Sequence, residues 1–444
     1  MVHLGHHGRH HPNALRKALR LTRTIRSAVG RDSWFREPGL QRIMRLLNRD
    51  EAETRVVGGA VRNALLDRPV DEVDLATTLK PEAVIERAGE AGLKSVPTGI
   101  EHGTVTLVIA GHSYEVTTLR SDVETDGRHA TVAFGTDWQA DAERRDLTIN
   151  ALYADADGAV IDPVGGLADL AAGTVRFIGD PETRIAEDYL RILRFFRFFA
   201  WYGSGRPEPE GLKACAREKD QIARLSAERV WSETRKLLAA PDPGRALLWM
   251  RQSGVLTAVL PETEKWGIDS VPAMVGTEKA FKWNPDALLR LMAIVPPETE
   301  RLDALAKRLK LSRAEADRLE DWAEAPQVPY DIKDAAFDRL LYANKPPAVI
   351  DRLKLQLASA RGRAITDSKA MVEAAAMSRL IERAKKWRRP SMPLGGADLK
   401  EQGVEEGPRM GRILARLEAA WLDSDFRLDR DALLERLPEA IGSE

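Results

Sequence analysis

A chain of 444 residues, 43% hydrophobic and 30% charged, has room for two to four globular domains and is too evenly mixed for long disorder, collagen or a coiled-coil rod. No stretch approaches the roughly 20 apolar residues that span a bilayer, and the single cysteine, Cys215, excludes a disulfide scaffold or cysteine-based zinc site and fits a reducing cytoplasm. The net charge of −1 hides an asymmetry: residues 1–50 carry eleven Lys/Arg against Asp32, Glu37 and Asp50, so the acidic excess lies further along.

Residues 1–30 contain no acid, six Lys/Arg and five of the eight histidines (His3, His6, His7, His10, His11), and read as a disordered leader. A metal-binding histidine cluster is the alternative; an organellar transit peptide finds only Ser27 in its support. From Thr54 to about Val175 the pattern is mixed α/β. Arg55–Val57 reads as a strand, Gly58-Gly59 as a tight turn, Val61–Leu66 as a short helix and Val73–Thr77 as a second strand. Thr104–Ile109 and Tyr114–Leu119 form a hairpin across Ala110–Ser113, and the polar, glycine-bearing residues 123–138 a mobile loop. After Ile178-Gly179-Asp180 helical periods take over: Tyr189–Trp201, Ala227–Ala239, Gly244–Val255, Asp286–Ile294, Leu302–Leu309 and Ile350–Arg361, with proline breaks at 240–243, 261, 296–297, 346–347 and 390–393.

Three clusters can carry chemistry. Gly58 and Gly59, between strand and helix, let backbone N–H groups approach a phosphate, and Arg62 in the first turn can add a charge-assisted contact. Such turns are common, so alone this one is more readily structural. Glu72 and Asp74 sit two apart on a strand and share a face, where adjacent carboxylates repel unless a cation lies between them. With Glu115 from a later strand, three acids could hold two Mg²⁺ ions for phosphoryl or nucleotidyl transfer; a solvated acidic strand start is the competing reading. Arg145 beside Asp146 is either a buried ion pair or a phosphate ligand held by a carboxylate. Finally, Asp188, Arg191, Arg194 and Arg197 recur at i+3 steps opposite Leu190, Leu193 and Phe196, leaving positive charge over that suits a triphosphate.

In this order and spacing, Gly58–Arg62, the paired acids, Arg144–Leu152, Asp162–Leu170, Glu187–Phe198 and Leu225–Trp231 strongly resemble the class II tRNA nucleotidyltransferase/poly(A) polymerase family, and Pro393–Leu399 more weakly so. The resemblance implies an α+β, DNA-polymerase-β-like nucleotidyltransferase head over residues 31–178. A helical neck over 179–262 would carry the nucleotide-reading helix, and an all-α body and tail over 263–444 would hold tRNA. It implies nucleotide contacts from Gly58, Gly59, Arg62, Arg145, Asp188, Arg191, Arg194 and Arg197, catalysis through Glu72, Asp74 and Glu115, and two Mg²⁺ ions on Glu72 and Asp74. Two positions depart from the family pattern, which has Asp where Glu72 and Asn63 stand.

The implied reaction adds CMP, CMP and AMP from CTP and ATP to the tRNA 3′ end without a nucleic-acid template, releasing pyrophosphate. Cytosine and adenine both present an amino donor beside a ring-nitrogen acceptor, so Asp188 and Arg191 can pair with either and oppose uracil and guanine. The 123–138 loop is the candidate that resizes the pocket between C and A. Lys385–Arg389 and Arg352–Arg363 are candidate tRNA contacts or, equally, solvated helix faces. The rivals are a poly(A) polymerase, which usually carries a long basic tail unlike Leu437–Glu444, an enzyme adding only CC or only A, and a non-catalytic RNA-binding protein. With no histidine past His129, an HD-type phosphohydrolase is disfavoured. No membrane association and no obligatory protein partner are expected.

Overall fold

The computed structural model describes residues 29–122, 132–264 and 267–442. Residues 1–28 of the leader and residues 123–131 of the 123–138 loop lie outside them, whereas Val29 and Gly30, counted with the leader, belong to a short 3-10 turn in which Val29 is buried. The chain divides into two compact units, one ending at Pro261 and one beginning at Glu262.

The first unit is built on a seven-stranded sheet in the order β3-β4-β5-β2-β1-β8-β9. Its strands are β1 (Thr54–Val57), β2 (Asp74–Thr77), β3 (Lys94–Gly99), β4 (Thr104–Ile109), β5 (His112–Thr118), β8 (Tyr153–Ala154) and β9 (Val160–Ile161). The hairpin β4–β5 turns at Ala110-Gly111, where both residues take positive φ. Most pairs are antiparallel, but β2 and β5 run parallel, in a register that sets Asp74 beside Glu115. Within the 123–138 segment, Val132–Phe134 (β7) pairs with Arg120–Asp122 (β6), and Asp137 caps a helix by accepting from Gln139 and Ala140 N–H. The described part of that segment is therefore a strand and a helix start.

Helices α1 (Pro38–Leu47), α2 (Gly59–Leu65), α3 (Pro81–Glu90), α4 (Trp138–Glu143), α5 (Gly166–Ala172) and α6 (Pro181–Glu187) accompany the sheet. Helices α7 (Leu190–Tyr202), α8 (Pro209–Glu218), α9 (Ala227–Leu238), α10 (Gly244–Gln252) and α11 (Val255–Val259) follow. The single helix expected over Gly244–Val255 is broken, because Gly254 at φ +77° ends α10 and starts α11. Helix α7 buries Ile192, Leu193, Phe195, Phe196 and Phe199, none more than 2% exposed. Each such side chain contributes about 1.5–3 kcal/mol on burial, so the apolar stripe fixes the rotation of α7 and thereby where its arginines stand.

The second unit is helical throughout among the described residues. Helices α12 (Ser270–Phe281), α13 (Ala287–Ile294), α14 (Thr299–Leu309), α15 (Arg313–Glu324), α16 (Asp334–Ala343), α17 (Pro346–Arg363) and α18 (Ser368–Lys386) precede shorter C-terminal ones. Pro346-Pro347 opens α17 instead of breaking the chain, since a proline in the first turn lacks only an N–H that would have no partner there. Phe337, Leu353, Leu357 and Leu380 form one core, and Leu399, Ile413, Leu417 and Trp421 another. Among the described residues no helix is long and apolar enough to cross a membrane.

Candidate active site

Strand β1 ends at Gly58, whose φ of +70° with ψ −112° is open only to glycine, and α2 begins at once. The Gly58 N–H is tied to the Leu152 carbonyl at 2.8 Å, which pins the turn to the sheet. At Gly59 an added Cβ would meet only Arg62 Nη2, at an ordinary 3.8 Å. Nothing in the protein demands glycine there, so its bareness leaves the space above the turn for a ligand.

The carboxylates stand across from this turn. The sheet register makes Asp74 and Glu115 direct neighbours, which the sequence left open. Glu72, however, is not in the strand: β2 starts at Asp74, because β1 already turns away after Val57, Asp74's partner, and offers nothing for residue 72 to pair with. All three nevertheless line one cavity of about 670 Å³. Asp74's carboxyl is held above the usual carboxylate range by the desolvating walls, then by the charges of Glu115 and Glu72; Arg145 pulls it the other way. No salt bridge or side-chain hydrogen bond engages Glu72, Asp74 or Glu115 among the described residues. Among those residues there is also no group of three or more His, Cys, Asp or Glu gathered closely enough to hold a metal, so the three-acid cage considered from the sequence is not preformed. The set is all oxygen, uncompensated and open to solvent. Such a set fits a hard cation like Mg²⁺, which takes one or two carboxylates and completes its shell with water and substrate phosphates.

The opposite wall is cationic. Arg191, Arg194 and Arg197 project from α7 into the cavity, but Asp188 is extended (φ −155°, ψ 106°) and sits between α6 and α7, so it is not a helical member of their stripe. Nor do Asp188 and Arg191 pair. The Asp188 carboxylate accepts from Arg229 at 2.6 Å, while Arg191 donates to Glu187 and the Arg184 carbonyl. Both polar edges therefore face the same cavity while held by other residues.

Asp146 does not pair with Arg145, its neighbour in sequence. Arg145 bonds to Asp141 at 3.0 Å and Tyr153 at 3.2 Å, whereas Arg194 reaches Asp146 at 2.6 Å. The two consecutive residues thus line one cavity while each is bonded to a different partner. Burial alone would raise the Asp146 carboxyl, but the charge and hydrogen bond of Arg194, with bonds from Asn150 and the Leu147 N–H, hold it below the ordinary range.

Arg62, only 7% exposed, faces no carboxylate directly; it donates to Asn150 and, at 2.9 Å, to the Tyr202 hydroxyl. Its Nε is buried with no partner, and burial draws its pKa below the usual guanidinium value. Its charge rests partly on aromatic faces, with Phe198 and Tyr202 ring centres 5.0 and 4.1 Å away. Arg194 and Arg197 lie over the same Phe198 ring, at 5.3 and 4.0 Å, and Arg197 also bonds Glu233.

Every one of the eleven residues singled out from the sequence lines this cavity: Gly58, Gly59, Arg62, Glu72, Asp74, Glu115, Arg145, Asp188, Arg191, Arg194 and Arg197. Sequence reasoning missed Asn150, Phe198, Tyr202, Arg229 and Glu233. For Phe198 the signal was present, as an aromatic on the arginine side of an amphipathic helix. Asn63, where the family pattern has Asp, accepts from Tyr202 at 2.9 Å and so extends the network that ends on Arg62. The motif at Asp162–Leu170 is structural: Asp162 accepts from the N–H groups of Gly166 and Leu167, and a Cβ on Gly166 would meet the Thr148 carbonyl oxygen at 2.2 Å.

Residues 54–176 match the poly A polymerase head domain, and residues 206–266 the probable RNA and SrmB-binding site of polymerase A. The CCA tRNA nucleotidyltransferase 1, mitochondrial, of Danio rerio is 32% identical over 90% of this chain and 91% of its own length. The chain belongs to the tRNA nucleotidyltransferase/poly(A) polymerase family. The CCA-adding enzyme of Streptococcus gordonii is likewise 32% identical, over 87% of this chain and 93% of its own. Among solved structures, the Bacillus stearothermophilus CCA-adding enzyme in complex with CTP shares the fold, with a TM-score of 0.64 over 93% of this chain and 98% of its own at 24% identity. The family consists of metal-dependent nucleotidyltransferases, and this chain is a nucleotidyltransferase with an α+β head and a helical remainder.

Proposed function

We propose that the protein rebuilds the CCA end of tRNA, transferring CMP, CMP and AMP from CTP and ATP to the 3′ terminus without a nucleic-acid template and releasing pyrophosphate. The observation that supports this most directly is one cavity with unpaired carboxylates on one wall, arginines and a glycine turn on the other, and the edges of Asp188 and Arg191 open to it.

In this reading Glu72 and Asp74 hold two Mg²⁺ ions, which when bound supply Lewis acidity at the primer hydroxyl and at the leaving phosphates. Glu115, beside Asp74, takes the side of the cavity where the primer hydroxyl gives up its proton. The N–H groups at Gly58-Gly59 and the guanidinium groups of Arg62, Arg194 and Arg197 hold the triphosphate, with Asn150, Asp146 and Glu233 respectively fixing those three arginines before substrate arrives. Arg145 is committed to Asp141 and Tyr153, so its part is to orient the strand end and temper the charge on Asp74. Asp188 and Arg191 read the base after exchanging Arg229 and Glu187 for its amino group and ring nitrogen. The described residues divide at 261/262, and we read the first unit as head (31–178) and neck (179–262) and the second (263–444) as the tRNA-holding body and tail.

Within the second unit the candidate RNA contacts need revision. Arg352 is buried and donates to the carbonyls of Trp322, Ala323 and Ala325, closing the end of α15, so it is a folding residue. Arg361, Lys386 and Arg388 remain as contacts to test. A cytoplasmic location belongs to the same reading, on the lone, buried Cys215; because relatives are named as mitochondrial, organelle fractionation tests it.

The deciding experiment incubates the protein and Mg²⁺ with tRNAs ending before CCA, after C and after CC, each with CTP, ATP or both, and sequences the products. Addition that stops at CCA from all three is expected. Long A tails on unrelated RNA would instead make the protein a poly(A) polymerase, and CC-only or A-only products would divide the pathway.

A further inference from the structure

A second cavity, of about 420 Å³, shares Gly59, Arg62, Glu72, Asp74 and Arg197 with the first and continues past them toward Trp201, Tyr202 and Lys236. Glu115, Asp188 and Arg191 line only the first cavity. The two cavities meet at the glycine turn and at Arg62 and Arg197, and Trp201, Tyr202 and Lys236 line only the second. Lys236 stands on the exposed side of α9, and its ammonium has no carboxylate or hydrogen-bond partner among the described residues. Its backbone position is fixed, because the Trp201 indole N–H donates to the Lys236 carbonyl at 2.8 Å. Arg197, on the wall common to both cavities, is steadied by Glu233 three residues before Lys236 on the same helix.

We propose that this second cavity is the leaving-group channel and that Lys236 is the residue that receives pyrophosphate. The inference rests on the nucleotidyltransferase reading above. In the transfer, the primer 3′-oxygen forms a bond to the α-phosphorus as the bond from that phosphorus to the bridging oxygen breaks, and the hydroxyl proton is lost on the primer side. The electron pair of the broken bond departs with pyrophosphate, on the side of phosphorus opposite the attacking oxygen. In this proposal that side faces the second cavity, because Glu115, assigned to the primer side, lines only the first. Arg62 and Arg197 neutralise the leaving group where it is formed, and Lys236 takes up charge further out. The flanking acids keep the channel from becoming a permanent trap, since Asp71, Glu72 and Asp74 line it too.

The test is calorimetric titration of the full-length protein with pyrophosphate, and separately with CMP, both in Mg²⁺ buffer. Lys236→Ala is expected to weaken pyrophosphate binding about tenfold and leave CMP binding within about twofold, because CMP lacks the two outer phosphates; a tenfold change in Kd corresponds to about 1.4 kcal/mol. Lys236→Arg is expected to restore most of the pyrophosphate affinity, and the rate of pyrophosphorolysis of tRNA-CCA is expected to follow the same order. Equal pyrophosphate affinity in Lys236→Ala and wild type would overturn the proposal, as would parallel losses for CMP and pyrophosphate. The titration needs no turnover: failure of the wild type to extend tRNA would sink the functional reading, whereas the channel stands or falls on the binding data.

Discussion

Glu278 and Arg290, in the helical unit, are 3% and 1% exposed and satisfy each other through three hydrogen bonds of 2.6–3.1 Å. In the head, Asp74 has no cation bonded to it, and its carboxyl is pushed up first by desolvation and then by the charges of Glu115 and Glu72. Both arrangements concentrate charge, yet only one is complete within the chain. A buried pair that closes on itself serves the fold, and its cost of desolvation is offset only while both partners are present. Like charges assembled without a partner weaken the fold and persist where something from outside neutralises them. The arginine wall lies between these cases: Arg194 is bonded to Asp146, while Arg62 keeps a buried Nε without a partner.

The contrast is broken most sharply by removing one member from each region. Asp74→Asn is expected to lower the rate of CMP addition by on the order of 10³-fold, about 4 kcal/mol of transition-state stabilisation. Its thermal midpoint without Mg²⁺ should equal or exceed that of the wild type, because a repulsion is relieved. A midpoint well below wild type would mean that Asp74 belongs to the fold. Glu278→Ala is expected to do the reverse, costing about 3–5 kcal/mol in urea unfolding of the helical unit by removing the buried carboxylate that Arg290 bonds three times. If that variant unfolded like the wild type, the pair would be no structural closure.

A smaller effect sharpens the middle case. Arg191→Ala removes one charge-assisted hydrogen bond to the base, an interaction of about 1.5–3 kcal/mol. Incorporation of CMP and AMP over UMP and GMP should fall by roughly tenfold to a hundredfold. Unchanged selection, with CTP simply binding more weakly, would move base reading away from the Asp188–Arg191 edge.

How far the residues disclosed this arrangement depended on whether the signal was local. The β4–β5 hairpin and helix α7 were legible because period-two and period-3.6 hydrophobicity are written in contiguous residues. Glu72 and Asp74 reach the same cavity, but only the partner strand decides where a strand begins, and β1 ends two residues too early for Glu72. Arg145 and Asp146, adjacent in sequence, looked like a pair and instead found Asp141 and Arg194, from 4 and 48 residues away. The same limit hid Asn150, Glu233 and Arg229, whose roles exist only once α2, α7 and α9 meet. Arg352 shows the converse: in sequence it belongs to a basic stretch, and in the fold it is enclosed by backbone carbonyls.

The smallest expected effect concerns a pair intermediate between the two extremes. Asp286 caps α13 through the N–H groups of Leu288 and Leu289 and accepts from Arg318 at 2.6 Å, while remaining about a third exposed. Partial burial works against its ionisation, but the hydrogen bond from Arg318 and those from the helix N-terminus outweigh it, so its carboxyl lies below the ordinary value. A carboxyl whose pKa is depressed on folding contributes stability that is present above its unfolded pKa and lost as pH falls through the folded one. Wild-type protein should therefore lose stability as pH drops below the ordinary carboxylate range. Asp286→Asn, which keeps a capping oxygen and removes the charge, should start slightly lower at neutral pH and lose less over the same interval. Thermal midpoints of the two proteins between pH 6 and 3 would show the curves converging. Parallel curves would mean that solvent screens the pair too well for it to matter, and that in this unit only full enclosure, as at Glu278 and Arg290, turns a salt bridge into stability.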